Sequence, residues 1–261
     1  MTVRLCVFGN SHAAALREAW MRHPARWPGL DLGFMAAQKD HLLQTAVREG
    51  RLITTDPDSQ AAFERICGIS AVTLADYDGF VIAGASVCLN AILQIYRDSR
   101  WVGLPSVAAA KGPANLVSRA AARAVIRASL VDRLGYVFAR RLRQHSTQPI
   151  FLTSQPRISQ EILTAPRPLT RLHNIAIQQG DGETLGQEFD DLAAQVLAKL
   201  TCHFLPQPAQ TVLHGMLTRF EFVMGAHRLT AEMTAPQPKS DILHANGLYG
   251  ALVLDQIADA V

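Results

Sequence analysis

Four residues near the start of the chain, Gly9-Asn10-Ser11-His12, place a hydroxyl and an imidazole at one joint. A second pair, Asp241 and His244, lies near the other end in a D-x-x-H arrangement. A carboxylate beside an imidazole fixes its tautomer and stabilises the imidazolium as it forms. The imidazole can then take the proton of a serine hydroxyl and make it a nucleophile. One short loop supplies Asp241 and His244, and Ser11 supplies the hydroxyl. Each residue also has a plainer use. Ser11 and Asp241 suit helix N-caps, and His244 can sit solvated at a helix start.

Nucleophilic chemistry needs elements that bring the two ends together. Residues 2–8, TVRLCVF, are apolar and β-branched and stop at Gly9, which predicts a buried strand. Residues 12–22 follow with helical spacing, Ala15, Leu16, Ala19 and Trp20 sharing a face. Further strands are predicted at 30–37, 78–87, 149–156 and 202–208. The segment 106–144 is helical in composition, with a break expected near Gly112-Pro113. Residues 186–200 form an amphipathic pattern, and a last helix runs from after His244 to about Ala260.

Alternating strands and helices predict the α/β class, a parallel sheet of roughly five strands covered on both faces. In such sheets, sites lie beyond the carboxyl ends of the strands. Three clusters fall there: Gly9 to His12, Gly84 to Ser86, and Thr153 to Gln155. No linker or repeat divides the chain, so one domain is expected over 1–261. The less regular stretch 209–240 is a candidate flap or insertion near the site.

Composition narrows the function classes. Apolar residues make up 49% and charged residues 18%, enough for a sizeable core and against global disorder. The net charge of +3 is too mild to argue for nucleic acid. The basic run Lys111, Arg119, Arg123, Arg127, Arg133, Arg140, Arg141 and Arg143 reads first as a solvated helix face. Attraction of an anionic partner is the other reading. Sparse aromatics speak against single-stranded nucleic acid.

The cysteines Cys6, Cys67, Cys88 and Cys202 include no C-x-x-C pair, so reduced thiols are expected rather than zinc or disulfides. His214 and His227 read as surface or packing residues, and no metal-ligand spacing occurs. Residues 178–186, QQGDGETLG, have the wrong spacing for a nucleotide fingerprint. The N-terminal MTVRLCVFGN is too short and polar-flanked for a signal peptide. No apolar run has the length of a membrane span. A cytoplasmic protein is therefore expected.

The two motifs together, Gly9-Asn10-Ser11-His12 and Asp241-x-x-His244-x-Asn246-x-x-Tyr249-Gly250, resemble those of the SGNH (GDSL-like) hydrolase superfamily. The resemblance covers the chain in order and length, and its two ends carry it. It implies a flavodoxin-like three-layer α/β/α sandwich. It also implies Ser11 as nucleophile, His244 as general base and Asp241 as its orienting partner. Asn246 and Tyr249 would order the His loop and the last helix.

The backbone N–H of Ser11 would be one oxyanion donor. The family adds a Gly after the second strand and an Asn after the third. Here Ala37-Gln38 and Gly84-Ala85-Ser86 occupy those places. Ser86 hydroxyl, or the amides of Ala37 or Ala85, are the substitutes, with His12 beside them as a substrate contact. The implied activity is a serine esterase that removes a small O-acyl group, acetyl by expectation, from a carbohydrate, with no metal or organic cofactor. A glycan O-acyltransferase and a weakened binding module are the rival readings. Nothing in the sequence fixes the oligomeric state.

Overall fold

The computed structural model describes residues 2–109 and 115–261. Five strands form a parallel sheet: β1 Val3–Gly9, β2 Leu30–Ala36, β3 Gly79–Ala83, β4 Ile150–Thr153 and β5 Cys202–Leu205. Their order across the sheet is β5-β4-β3-β1-β2. This is the doubly wound, flavodoxin-like order, and it reverses direction between β1 and β3. The strands are near-continuous apolar runs because both faces are covered; all of Gly79–Ala83 and Ile150–Thr153 is buried.

Right-handed crossovers decide which helix goes to which face. The chain steps from β1 to β2 one way, then returns past β1 to β3 and continues outward. Helix α1, Ala13–Arg22, therefore lies on one face with the last helix, Gly247–Ala260. Gly250 permits that pairing, since a Cβ there would lie 1.9 Å from the Ala15 carbonyl oxygen. The helices of the later crossovers cover the other face. There Phe138, from the helix Leu134–Arg143, meets Phe8 edge-on at 5.1 Å.

Several boundaries differ from expectation. The strand expected over 78–87 ends at Ala83, and the next three residues turn with positive φ. The strands expected over 149–156 and 202–208 are likewise shorter, ending at Thr153 and Leu205. The helix expected over 186–200 starts earlier, as Gly182–Ala198. The expected helix break at Gly112-Pro113, and Lys111 with it, lies outside the described residues. Among the described residues of this segment, a short helix ends at Ala108, Leu116–Val117 is a strand, and a further break falls at Asp132-Arg133, between helices Arg119–Val131 and Leu134–Arg143. Packing places it there. Gly135 sits so close to the turn after β3 that a Cβ would lie 2.9 Å from Val87 and 3.2 Å from the Ala85 oxygen.

The solvated-face reading of the arginines holds in part: Arg119 and Arg140 are exposed, yet most of the run also has partners on neighbouring elements. Arg119 and Arg123 both reach the buried Glu188, at 3.2 and 3.0 Å, and Arg127 donates to Gln195. Arg141 donates to Thr45, and Arg143 to the Leu200 carbonyl. Much of the run thus anchors neighbouring elements instead of forming one open patch.

A three-stranded antiparallel meander, Thr45–Arg48, Arg51–Thr54 and Ala71–Thr73, and a helix, Pro57–Cys67, occupy a stretch with no predicted element. The segment 209–240 contains only short strands and 3-10 turns. It is tied to α1 through His227 and Glu18 at 2.9 Å, and to the start of the last helix through Asn246. All four cysteines are free. Among the described residues, no helix is long and apolar enough to cross a membrane.

Candidate active site

Strand β1 ends in the middle of the sheet, beside β3, at the point where the strand order reverses. Gly9 is required there because α1 and β3 crowd the turn: a Cβ would lie 2.9 Å from that of Ala13 and 3.1 Å from the Ala83 oxygen. Asn10 closes the start of α1. Its side-chain oxygen accepts from the His12 amide at 3.1 Å, and its carbonyl accepts from Ala13 at 3.0 Å. The N-cap position of α1 is His12 and no side chain caps the helix, so the plain reading of Ser11 as a helix cap does not hold. Ser11 is left to point elsewhere.

Its Oγ lies 2.9 Å from His244 Nε2, across a separation of 233 residues. His244 Nδ1 lies 2.9 Å from Asp241 Oδ2. The network assigns the tautomer: Nδ1–H donates to the carboxylate, and Nε2 accepts from the serine hydroxyl. Asp241 also accepts from the amides of Leu243 and His244, at 3.3 and 3.1 Å. These bonds tighten the turn that presents the imidazole. Burial alone would push the Asp241 carboxyl up. The hydrogen bond from His244, its charge and the two amides outweigh that, and the group lies below the ordinary carboxylate value.

The final helix is capped by Asn246, not by Asp241. The Asn246 side-chain oxygen accepts from Leu248 and Tyr249, and its amide nitrogen donates to the carbonyls of Glu221 and Met224. Two residues from the β4 crossover hold the loop from its other side. Ser159 donates its amide to Ile242 at 2.8 Å, and Arg167 donates to the Ser240 carbonyl at 2.7 Å. Sequence reasoning missed both. Their contacts span more than 70 residues, and no local pattern marks them.

The other candidate residues divide. The Ala37 amide donates to the Gly9 carbonyl at 3.2 Å, so it continues the sheet and is not free to meet a substrate. Gln38 is exposed, and its side chain reaches the Leu229 carbonyl at 3.5 Å. Gly84, Ala85 and Ser86 form a left-handed run with φ of 70°, 44° and 65°. Such backbone costs on the order of 1 kcal/mol or more at each non-glycine residue and needs support. Support comes from three bonds: Gly84 N–H to Thr153 Oγ1, Gly135 N–H to the Ala85 oxygen, and Gln155 N–H to the Val87 oxygen. Among the described residues, the amides of Ser11, Ala85 and Ser86 have no acceptor.

His12 stacks on His244, ring centroids 4.8 Å apart and planes 20° from parallel. Burial, then the charge of His244, pushes its pKa down to about 3, so the ring is neutral at neutral pH. Beside the relay, a cleft of about 430 Å³ is lined by Phe220, Val223, Met224, Pro236 and Asp241, mostly from the segment 209–240. Among the described residues, no cluster of three His, Cys, Asp or Glu side chains could hold a metal ion.

No protein-family model and no curated protein matches this chain. One solved structure, a DUF4886 family protein from Bacteroides uniformis, is similar over 84% of this chain and 76% of its own. The identity is 9% and the TM-score 0.39.

Proposed function

We propose that the protein is a serine-dependent ester hydrolase of the SGNH type, with Ser11, His244 and Asp241 as its triad. The observation that carries this reading is the unbroken relay from Ser11 Oγ to His244 Nε2 and from Nδ1 to Asp241 Oδ2, both links at 2.9 Å. Ser11 Oγ attacks the ester carbonyl while its proton passes to Nε2. The tetrahedral intermediate collapses, and the leaving alcohol takes that proton. Water, deprotonated by His244, then releases the acyl group from Ser11.

Charge develops on the former carbonyl oxygen, and the donors for it are the amides of Ser11, Ala85 and Ser86. The left-handed run at Gly84–Ser86 supports this assignment, because it holds two amides without acceptors at the end of β3. Ala37 is dropped from the donor set, since its amide is used within the sheet. The substrate class follows the resemblance: a small O-acyl group, acetyl first, on a carbohydrate.

The test is hydrolysis of p-nitrophenyl acetate by the wild type, Ser11→Ala and His244→Ala, with a fluorophosphonate label mapped by mass spectrometry. Turnover lost in both variants, and a label on Ser11, support the esterase. Equal rates in all three proteins and no label would sink it. The loss of the Ala37 donor favours the weakened binding module as second reading. Carbohydrate binding without turnover would move the assignment there. Acyl transfer to an added glycan at the expense of hydrolysis would make the same triad a transferase.

A further inference from the structure

His244 is held by two hydrogen bonds, one at each ring nitrogen. With the in-plane Cβ–Cγ bond they set the orientation of the imidazole, and the weakest restraint left is against tilt of the ring about its side-chain torsion. A ring rotated out of plane keeps both contacts in distance and loses them in angle. A contact on the ring's face opposes that tilt directly. The structure supplies one in the stacked ring of His12.

We propose that His12 is a positioning residue that acts through His244, packing face to face on its imidazole and holding the plane that joins Ser11 to Asp241. The proposal rests on the reading of His244 as general base.

Three observations support it. First, no hydrogen bond steers the His12 ring: Nδ1 is buried and has no partner among the described residues. Packing therefore sets its place. Second, the wall behind it is tight. A Cβ at Gly84 would lie 3.0 Å from His12 Cβ and 3.6 Å from the Gln155 backbone. A glycine with φ of 70° thus leaves room for His12 between the β3 turn and His244. Third, the His12 backbone is fixed by Asn10, next to the nucleophile itself. The G-N-S-H string thereby delivers the serine and the support for its base in one turn. A neutral ring suits this place, because a second cation stacked on His244 would oppose its protonation as Ser11 gives up its proton.

The experiment compares His12→Ala, His12→Gln and His12→Phe with the wild type. The full chain is used, and melting curves confirm folding. One readout is the NMR signals of the His244 ring, which a neighbouring aromatic face shifts. The other is kcat and KM on p-nitrophenyl acetate. His12→Ala and His12→Gln are expected to move the His244 ring signals and to lower kcat by about 10- to 100-fold, with KM nearly unchanged. His12→Phe keeps a flat ring and is expected to restore most of both.

Unchanged His244 signals in His12→Ala overturn the proposal, whatever kcat does. So does a Phe variant as impaired as the Ala variant. If the wild type hydrolyses no ester, the esterase reading fails by itself, and the His244 signals still decide the role of His12.

Discussion

Two clusters in this molecule join a serine to an aspartate, and they do opposite things. At the end of β1, Ser11 reaches Asp241 only through His244, and the Asp241 and His244 side chains are 14% and 17% exposed. Between the β3–β4 and β4–β5 crossovers, Ser106 of the first meets Asp181 of the second directly, Oγ donating to Oδ2 at 2.6 Å, and both residues are 0% exposed. The Asp181 carboxyl also accepts from the Ser106 amide at 2.8 Å and the Tyr96 hydroxyl at 2.7 Å, with Arg100 at 3.7 Å. Three donors thus converge on this one carboxyl. A serine donating to a carboxyl sealed from solvent has no access to a substrate and no imidazole to take its proton. Inserting an imidazole and opening one side to solvent turns the same two residue types from a clamp into a relay. Residue identity does not separate the two clusters; accessibility and the intervening base do.

The largest effect that would sharpen this contrast is Ser11→Ala or His244→Ala. Either is expected to lower kcat for ester hydrolysis by about 10⁶-fold, because triad members act as a unit. The melting temperature should hold. A melting curve collapsing with the rate would place Ser11 in the structural class.

Asp241→Asn comes next, with a loss of about 10⁴-fold from a misassigned imidazole tautomer. A steady-state comparison at fixed pH reads this, and near-wild-type kcat would remove Asp241 from the relay.

Asp181→Ala reverses the pattern. It leaves Arg100 and Tyr96 buried without their carboxyl partner and is expected to cost about 3–5 kcal/mol of stability in denaturant melts. The folded fraction should keep its kcat. Loss of kcat at full stability would break the comparison.

The smallest effect is with pH. His173 is buried, and its pKa is pushed down from 6.5 to about 4. The unfolded chain therefore binds this proton first as pH falls. Stability from this group is complete above 6.5, declines towards 4 and changes little below that. Asp241, held below its ordinary value, adds a loss at still lower pH, as the folded carboxylate protonates. Melting temperature is expected to drop over this range, with a shallower slope in His173→Leu. An equal slope in that variant would show that other groups carry it.

Several elements could be read directly from the chain. The apolar runs of β1 to β5 are legible because both faces of a parallel strand are buried, although β2 to β5 end short of the runs. The meander was not legible by the same rule, since its strands are short and half-exposed. Its markers were local: Glu49-Gly50, both at positive φ, turns Arg48 back onto Arg51. Asp56-Pro57 starts the following helix, the Asp56 carboxylate accepting from Asp58 and Ser59. The basic run misled in part, because spacing at i, i+4 shows that arginines share a face, not what that face meets. The buried Glu188 that Arg119 and Arg123 meet stands more than 60 residues away.

By itself, the sequence determined the alternation of elements, the glycine turn that exposes Ser11, and the D-x-x-H turn that pairs Asp241 with His244. Each depends on residues within a few positions of one another, where backbone sterics and short hydrogen bonds act. Only the tertiary structure decided that the two ends meet at 2.9 Å, that Ala37 lends its amide to the sheet, and that His12 faces His244. Those outcomes depend on strand order and helix packing. They bring together residues whose separation along the chain gives no local force to predict their contact.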